Sequence, residues 1–481
     1  MKKLLPFLVL IFACQFVVGQ TLVSAVQIAS KNTSQVSSVL GGSGGPYNAV
    51  KIYKVKYNTK DPFNNNTVAS GAVFVPNMAC DSFPVVAYCH GTVLRKTQVP
   101  SAQYDSNYEG LYFSSKGFVV AMPDYLGLGD NPGFHPYLHA ETEATATLDL
   151  MRAMREFLAD STNIDLNGQI FVTGYSQGGH AAMATLKYIE DHNLHTEFNV
   201  VAGAPMSGPY SLSTVQPRTV YDSIYAYNAF TPYVVNSYQY VYGNLYTNVS
   251  EYYDVPYDTN VPPYMNGSYT FEALNVTLPT NVYTFMNDSV LNAFMADTIS
   301  YSTPLRQDLK LNDNYSWNAS MPLRLCYCGS DDLVLPGNSQ VAADSMTAMG
   351  SPDVSAVNIN PAGDHFTCFS PAMTYVRNWF NTLKVSCTAT TGISENEMQQ
   401  TVNISLYPNP AENEITIESS EEMERIQVTD INGKIVINIE SLNKDAANIN
   451  ISAINNGFYF IKSYDKQGRV TVNKFMVQKN K

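Results

Sequence analysis

The chain has 481 residues, of which 45% are hydrophobic and 14% charged, and its formal net charge is −13. With 28 glycines and 25 prolines it has near-average usage of both, so the composition excludes a disordered, collagen-like or coiled-coil chain. Binding to nucleic acid is also excluded, because neutralising phosphates needs clusters of Lys and Arg that this acidic sequence lacks.

The first 19 residues have the organisation of a secretory signal peptide. Two lysines follow the initial methionine, an apolar run occupies residues 4–13, and the small Gly19 precedes a cleavage point at Gln20. A membrane anchor would need an apolar stretch of about 20 residues, and a lipoprotein signal through Cys14 is disfavoured by the bulky Phe12. No later run is long enough to span a bilayer, so the sequence predicts an exported, soluble protein without a transmembrane segment.

Between residues 50 and 385, short β-branched runs alternate with amphipathic helices. The clearest helix is predicted at 141–158, where apolar residues recur every three or four positions. Two early strands that can form a hairpin, followed by alternating strand and helix, predict an α/β fold with a mainly parallel eight-stranded sheet flanked by helices. The candidate strands are 50–57, 71–76, 84–89, 117–122, 169–173, 199–204, 323–328 and 354–360.

This alternation ceases between residues 207 and 320. The stretch contains 17 of the 33 tyrosines and one clear helical pattern, at 287–298. A departure of this length inside an α/β domain is typical of an inserted cap, since long structureless connections are uncommon. Its tyrosines could line a substrate cleft with apolar faces and polar tips, or they could only pack the cap itself.

Six cysteines remain after the signal peptide, and an even number in an oxidising compartment permits disulfides. Six cysteines allow 15 connectivities, among which the sequence does not choose. Cys326 and Cys328 alternate on a predicted strand and are equally well explained as small buried side chains. None has zinc-ligand spacing with His, so no metal site is expected. The six are Cys80, Cys89, Cys326, Cys328, Cys368 and Cys387.

A polar stretch at 388–402 without apolar periodicity predicts a linker after a first domain at 20–387. Residues 403–481 then predict a small all-β sandwich, with Asn432-Gly433 as a hairpin turn. The strands expected there are 414–417, 425–428, 434–439, 457–464 and 470–477.

The sequence Gly174-Tyr175-Ser176-Gln177-Gly178 lies between a predicted buried strand and an apparent helix. Glycines on both sides of the serine permit a sharp strand-to-helix turn that exposes its hydroxyl, as in a nucleophile elbow. The alternative is a glycine-rich turn whose serine only caps the helix. Ser176 is the predicted nucleophile.

A serine hydroxyl needs a base, and the base needs a carboxylate that orients it. In this architecture the chain order is Ser, acid, His, and His365 is the only histidine after His195. His365 is therefore the predicted base, with a solvated loop histidine as the alternative. His180 lies one turn after Ser176 and is expected to be a packing residue.

The acid should follow strand 323–328, where Asp331 and Asp332 are adjacent. We predict Asp331, because in hydrolases with this loop the acid commonly precedes a valine by three positions and Val334 fits that spacing. Asp332 would then face solvent or cap the next helix. No metal or organic cofactor is needed.

Backbone N–H groups are expected to stabilise the oxyanion of the tetrahedral intermediate. One should belong to Gln177, directly after the nucleophile. The other is assigned to Thr92, because His90 and Gly91 end a predicted strand there, although a plain tight turn would also explain them. Tyr125 follows the next strand and is expected to shape the pocket floor with His90 and Gly91, and it is a candidate additional donor.

Residues 50–384 resemble the α/β-hydrolase superfamily. The motifs HGT, PDYLGLGD, GYSQGGHAA, LRQDLKLNDNYSW and CGSDDLVLP are similar to those of bacterial and fungal secretory lipases and esterases. The resemblance implies a cap over the site and hydrolysis of carboxylic esters, either small molecules or polymer-linked. Peptidases of the prolyl oligopeptidase type share GYSQGG, so a peptidase is the alternative enzyme and a non-catalytic exported binding protein the alternative class.

The tail is similar to the C-terminal sorting domains of the type IX secretion system of Bacteroidota, through LYPNPA, VTDINGK and NGFYFIK. That resemblance implies the secretion machinery as a partner and passage from the periplasm to the medium or the outer cell surface. A substrate-binding β-sandwich is the alternative.

Overall fold

The computed structural model describes residues 20–41, 45–80, 82–161, 164–221, 225–386, 404–430, 434–466 and 470–479. The predicted signal peptide, the whole predicted linker, Cys387 and the Asn432-Gly433 turn lie outside these residues. The chain divides into two compact units, Met1–Thr390 and Thr391–Lys481, and this boundary falls inside the predicted linker.

A mainly parallel sheet of nine described strands forms the centre of the first unit, with the order β1-β2-β3-β5-β4-β6-β7-β8-β9. The first three pairs in this order, β1-β2, β2-β3 and β3-β5, are antiparallel. The five pairs that follow, from β5-β4 to β8-β9, are parallel. The strands are β1 (Leu22–Lys31), β2 (Ala49–Lys60), β3 (Asn66–Asn77), β4 (Ser82–Cys89), β5 (Val119–Pro123), β6 (Asp165–Tyr175), β7 (Val200–Met206), β8 (Leu323–Cys328) and β9 (Val354–Asn360).

The predicted α/β class is confirmed, and the predicted count of eight strands is wrong by one. The strand that sequence reasoning missed is β1, an edge strand with half-exposed residues on both faces and two register shifts against β2. Without regular alternation of buried and exposed residues, its sequence carries no period of two.

Helices cover both faces of the sheet and bury separate apolar clusters. On one face, Leu148 and Met151 of the predicted apolar stripe pack with Leu186, and on the other Phe113 packs with Phe380. No helix within the described ranges has the length and apolarity to cross a membrane. The described α-helices are α1 (Thr33–Val39), α2 (Tyr108–Ser114), α3 (Ala140–Ser161), α4 (Gln177–Asp191), α5 (Arg218–Tyr221), α6 (Phe230–Tyr242), α7 (Tyr257–Asn260), α8 (Phe271–Asn275), α9 (Asp288–Ala296), α10 (Pro304–Leu311), α11 (Gly337–Ala348) and α12 (His365–Leu383).

Helices α5 to α10 lie in the region 207–320, which has an apolar cluster of its own. Tyr233, Tyr238 and Tyr253 are buried in that cluster together with Phe285. For these tyrosines the packing interpretation is therefore correct, and the helix expected at 287–298 is present as α9.

The second unit is all-β, as predicted, and the structure shows that its named strands pair in the antiparallel direction. Its long strand β11 joins the two strands expected at 414–417 and 425–428, pairing with β10 and β13 through its first half and with β12 and β14 through its second. Strands β10 and β13 were not predicted. The strands are β10 (Ile404–Tyr407), β11 (Glu414–Asp430), β12 (Ile435–Ile439), β13 (Lys444–Asn450), β14 (Gly457–Asp465) and β15 (Val470–Val477).

Candidate active site

Ser176 lies in the turn between β6 and α4 with φ 61° and ψ −121°, a backbone conformation that strains any residue except glycine. The flanking glycines are required by close backbone approach. A Cβ on Gly174 would come 2.3 Å from the carbonyl oxygen of Gly178, and one on Gly178 would come 1.9 Å from that of Cys89. The alternative of a capping serine is wrong, because the Ser176 side chain makes no capping hydrogen bond.

Three predicted site residues form a hydrogen-bonded chain. The Oγ of Ser176 lies 3.0 Å from Nε2 of His365, and Nδ1 of His365 lies 2.8 Å from Oδ2 of Asp331. Asp331 and His365 are both buried. Because an ionised carboxylate only accepts hydrogen bonds, Nδ1 of His365 carries the hydrogen and Nε2 is free to accept one from Ser176.

The two adjacent aspartates lie in different environments. The Oδ1 of Asp331 accepts hydrogen bonds from the backbone N–H of Leu333, at 3.1 Å, and of Val334, at 2.9 Å. Asp332 is exposed. The spacing from Asp331 to Val334 thus has a physical basis, since a turn of this length holds the carboxylate in place.

A disulfide joins the segments that carry Asp331 and His365. Cys328 is the last residue of β8, and its bond to Cys368 in the first turn of α12 brings their Cα atoms within 5.8 Å. Cys326 and Cys89 are buried free thiols whose pKa burial raises, so neither has the character of a nucleophile. The small-hydrophobe interpretation is therefore correct for Cys326 and wrong for Cys328.

Two backbone N–H groups beside Ser176 have no partner within the described part of the chain, those of Gln177 and Thr92. The Gln177 group is the first of α4, where no intrahelical acceptor exists. The Thr92 hydroxyl is paired with the hydroxyl of Tyr137 at 2.9 Å. Both amides are therefore free to receive an oxygen atom of a bound molecule.

The remaining predicted pocket residues, His90, Gly91 and Tyr125, either line the pocket at Ser176 or support the loop that precedes Thr92. His90 and Gly91 line the same pocket as Ser176. Tyr125 lies buried beneath them, and its hydroxyl donates to the carbonyl oxygen of His90 at 3.1 Å. The expectation of an additional donor at Tyr125 is not met, because this hydroxyl already has a backbone acceptor.

Two pockets meet at Ser176, and residues 207–320 contribute to both. Their empty volumes, including space open to solvent, are about 970 Å³ and 1750 Å³. What we call the apolar pocket is lined by aliphatic side chains of that region: Val234, Val235, Val290, Leu291, Leu305 and Leu309. What we call the polar pocket is the more polar of the two: Gln98, Gln103, Asn107 and Glu109 line it beside His365, together with apolar side chains such as Phe271 and Phe369.

Sequence reasoning missed Glu143, which is buried near the start of α3 and contacts both Gln177 and His180. His180 is thus part of a polar cluster and not only a packing residue. A signal for Glu143 exists in the sequence, since this charged residue lies eight positions, about two helical turns, before Met151 of the predicted apolar stripe.

A serine in a strand-to-helix turn, with an acid after β8 and a histidine after β9, on a mainly parallel sheet, defines an α/β-hydrolase. Residues 108–262 match the family model described as secretory lipase, and residues 405–478 match the secretion system C-terminal sorting domain. The chain is therefore a lipase- or esterase-like hydrolase with a C-terminal type IX sorting domain, and it is exported to the cell surface or beyond. No curated protein sequence matches it significantly.

Solved structures agree with this class. The rice cell wall degrading esterase LipA from Xanthomonas oryzae is 28% identical, with a TM-score of 0.70 over 76% of this chain and 99% of that one. A protein from Legionella pneumophila is 24% identical, with a TM-score of 0.70 over 80% and 100% of the two chains. Candida antarctica lipase A shares the fold at 15% identity, with a TM-score of 0.57 over 76% and 83%.

Proposed function

We propose that this protein hydrolyses carboxylic esters through an acyl-enzyme formed on Ser176. The Oγ of Ser176 attacks the acyl carbon while Nε2 of His365 takes its proton, and Asp331 stabilises the resulting imidazolium. The N–H groups of Gln177 and Thr92 receive the oxyanion. The observation that carries the proposal is the unbroken hydrogen-bonded chain from Ser176 Oγ through His365 to Asp331.

The second half of the cycle uses the same groups. As the tetrahedral intermediate collapses, His365 gives its proton to the leaving alcohol oxygen and the acyl group stays on Ser176. A water molecule, deprotonated by His365, then attacks the acyl carbon. The bond from the acyl carbon to Oγ breaks, the acid leaves, and His365 returns the proton to Oγ of Ser176. No step requires a metal or an organic cofactor.

The two pockets support a division of the substrate. The apolar pocket suits the acyl part and the polar pocket suits an alcohol part with hydroxyl groups, so residues 207–320 act as a cap that selects both. The esterase LipA, 28% identical, is named for degrading rice cell wall. We therefore include polymer-linked acyl esters, together with small esters, in the proposed substrate class.

The test compares the protein with its Ser176→Ala variant on p-nitrophenyl butyrate. We expect an initial burst from the wild type and loss of turnover with unchanged folding in Ser176→Ala. The control is Ser316→Ala, which removes an exposed serine from the same unit. Undiminished hydrolysis by Ser176→Ala would contradict the proposal.

Two further measurements separate the alternatives. Faster cleavage of peptide p-nitroanilides than of esters would favour the peptidase. Failure of Ser176 to react with an alkyl phosphonate would favour a non-catalytic binding protein.

A further inference from the structure

Gln177 lines the apolar pocket, and its side chain is anchored by two buried residues. Its Nε2 donates to Oε1 of Glu143 at 2.9 Å and to Nε2 of His135 at 2.8 Å. If the Gln177 amide were flipped, its oxygen would face the two acceptors, Oε1 of Glu143 and Nε2 of His135. The hydrogen bonds therefore determine the orientation of the amide. Gln177, Glu143 and His135 are at most 3% exposed.

His135 is held as an acceptor for this contact. Its Nδ1 donates to the carbonyl oxygen of Leu126 at 2.8 Å. In the neutral ring Nε2 therefore carries no hydrogen, and its lone pair accepts the hydrogen bond from Gln177. Burial lowers the pKa of His135 to about 3, so the ring is neutral at the pH of any assay near neutrality.

Glu143 is held in turn by His180. The Nδ1 of His180 lies 2.7 Å from Oε2 of Glu143, and its Nε2 lies 3.1 Å from the carbonyl oxygen of Asn312. Each ring nitrogen of His180 therefore has a buried oxygen atom as its partner, and neither Glu143 nor His180 is exposed by more than 1%. A buried pair of ionisable side chains adds little stability compared with apolar residues of the same size, and this pair is explained better by the group that it positions.

We propose that Glu143 and His135 are positioning residues that fix Gln177 through its side chain, and that His180 holds Glu143 for this task. This inference rests on the proposed function, in which the N–H of Gln177 receives the oxyanion. Two anchors on the side chain restrict the rotation of Gln177, so its N–H direction is set before the substrate arrives. Oxyanion stabilisation depends on such prior orientation, because a misplacement of about 1 Å can cost about 100-fold in rate.

The decisive variant is Gln177→Met, which keeps the length and the backbone N–H but removes both side-chain donors and leaves the pair of Glu143 and His180 intact. We expect kcat per titrated active site to fall about 10- to 100-fold with KM nearly unchanged. The inhibition constant of butylboronic acid, which forms a tetrahedral adduct on a serine, should rise by the same factor. A purely structural role would lower the titrated fraction and leave both constants unchanged.

Two substitutions of Glu143 separate the hydrogen bonds from the charge. Glu143→Ala removes the acceptor and should behave like Gln177→Met. Glu143→Gln should stay within about threefold of the wild type, because its amide oxygen can still accept from Gln177 and its NH2 can donate to a neutral His180. A loss in Glu143→Gln as large as in Glu143→Ala would overturn the assigned role.

The matched control is Glu197→Ala. Glu197 follows α4 and forms a bidentate ion pair with Arg152, at 2.6 and 2.8 Å. Arg152 lies on α3, nine residues after Glu143. Loss of this pair should lower the melting midpoint without changing kcat per active site or the boronate constant. If Glu197→Ala lowered kcat as much as Glu143→Ala, helix docking would explain both results and the inference would be wrong.

Failure of this inference is distinguishable from failure of the proposed function. Wild-type activity in Ser176→Ala would refute the function itself. With Ser176→Ala inactive, unchanged kcat and boronate affinity in Gln177→Met would refute only the positioning role. Should Glu143→Ala not fold, Gln177→Met alone decides.

Discussion

The substitution Asp331→Asn tests the proposed triad most directly, because the structure determines which way the new amide must point. The Oδ1 of Asp331 accepts the backbone N–H groups of Leu333 and Val334 at 3.1 and 2.9 Å. In the Asp331→Asn variant the amide oxygen has to keep this position, since an NH2 group there would face two donors. The NH2 group then faces Nδ1 of His365.

This orientation reverses the hydrogen positions on His365. Its Nδ1 must accept from the NH2 group, so the hydrogen moves to Nε2, which lies 3.0 Å from Ser176 Oγ. A ring in this tautomer cannot take the serine proton. In a serine protease the equivalent change lowers kcat by about 10⁴, and that factor corresponds to about 5 kcal/mol of transition-state stabilisation.

The free energy of unfolding, in contrast, should hardly change in Asp331→Asn. In Asp331→Asn the N–H groups of Leu333 and Val334 keep their acceptor, whereas Asp331→Ala would leave them buried and unpaired at a cost of about 1–3 kcal/mol. A large kinetic loss without a loss of stability therefore identifies a tautomer effect.

The assay measures kcat/KM on p-nitrophenyl butyrate and the melting midpoint for Asp331→Asn and for Asp331→Ala. The exposed Asp332 supplies the control, and Asp332→Asn should stay within about twofold of the wild type. Retention of more than a tenth of the activity by Asp331→Asn would refute the reasoning. A collapse of activity in Asp332→Asn instead would exchange the roles of the two aspartates.

Three further outcomes are expected. Replacing Cys328 and Cys368 together by alanine should cost about 4 kcal/mol in urea unfolding, from the 40-residue separation, and should also lower kcat, whereas Cys326→Ala should preserve kcat. Burial raises the pKa of Asp308 to about 6, so between about pH 4 and 6 the folded state binds more protons than the unfolded state. The protein therefore loses stability as the pH rises through this range. Asp308→Asn should raise the melting midpoint at pH 8 and not at pH 4. Truncation after Gln400 should leave an active esterase that accumulates in the periplasm of the native host, as cell fractionation would show.

Each of these has a contrary result. Unchanged kcat in the double cysteine variant would mean that the disulfide does not position the catalytic segments. An equal effect of Asp308→Asn at both pH values would contradict the titration. Normal appearance of the truncated protein in the medium would refute the sorting role of the tail, and loss of activity on polymeric substrates alone would favour a binding module.

The fold class and the nucleophile were predictable because their signals are local. The turn around Ser176 is determined by neighbouring glycines, whose Cβ atoms would collide with backbone oxygens. His365 and Asp331 could be selected by chain order, since the carboxyl ends of parallel strands meet at one edge of the sheet. The structure brings these three side chains together within hydrogen-bonding distance.

Other features depended on contacts between distant parts of the chain. Strand β1 is an irregular edge strand, and its pairing with β2 cannot be inferred from its own pattern. The partner of Cys328 lies 40 residues further along the chain, and the spacing of the cysteines does not identify it. The anchoring of Gln177 joins Glu143 of one helix to the start of another. Local periodicity decides which segments form helices and strands, but only tertiary packing decides which buried polar groups meet, because an unpaired one would be too costly to bury.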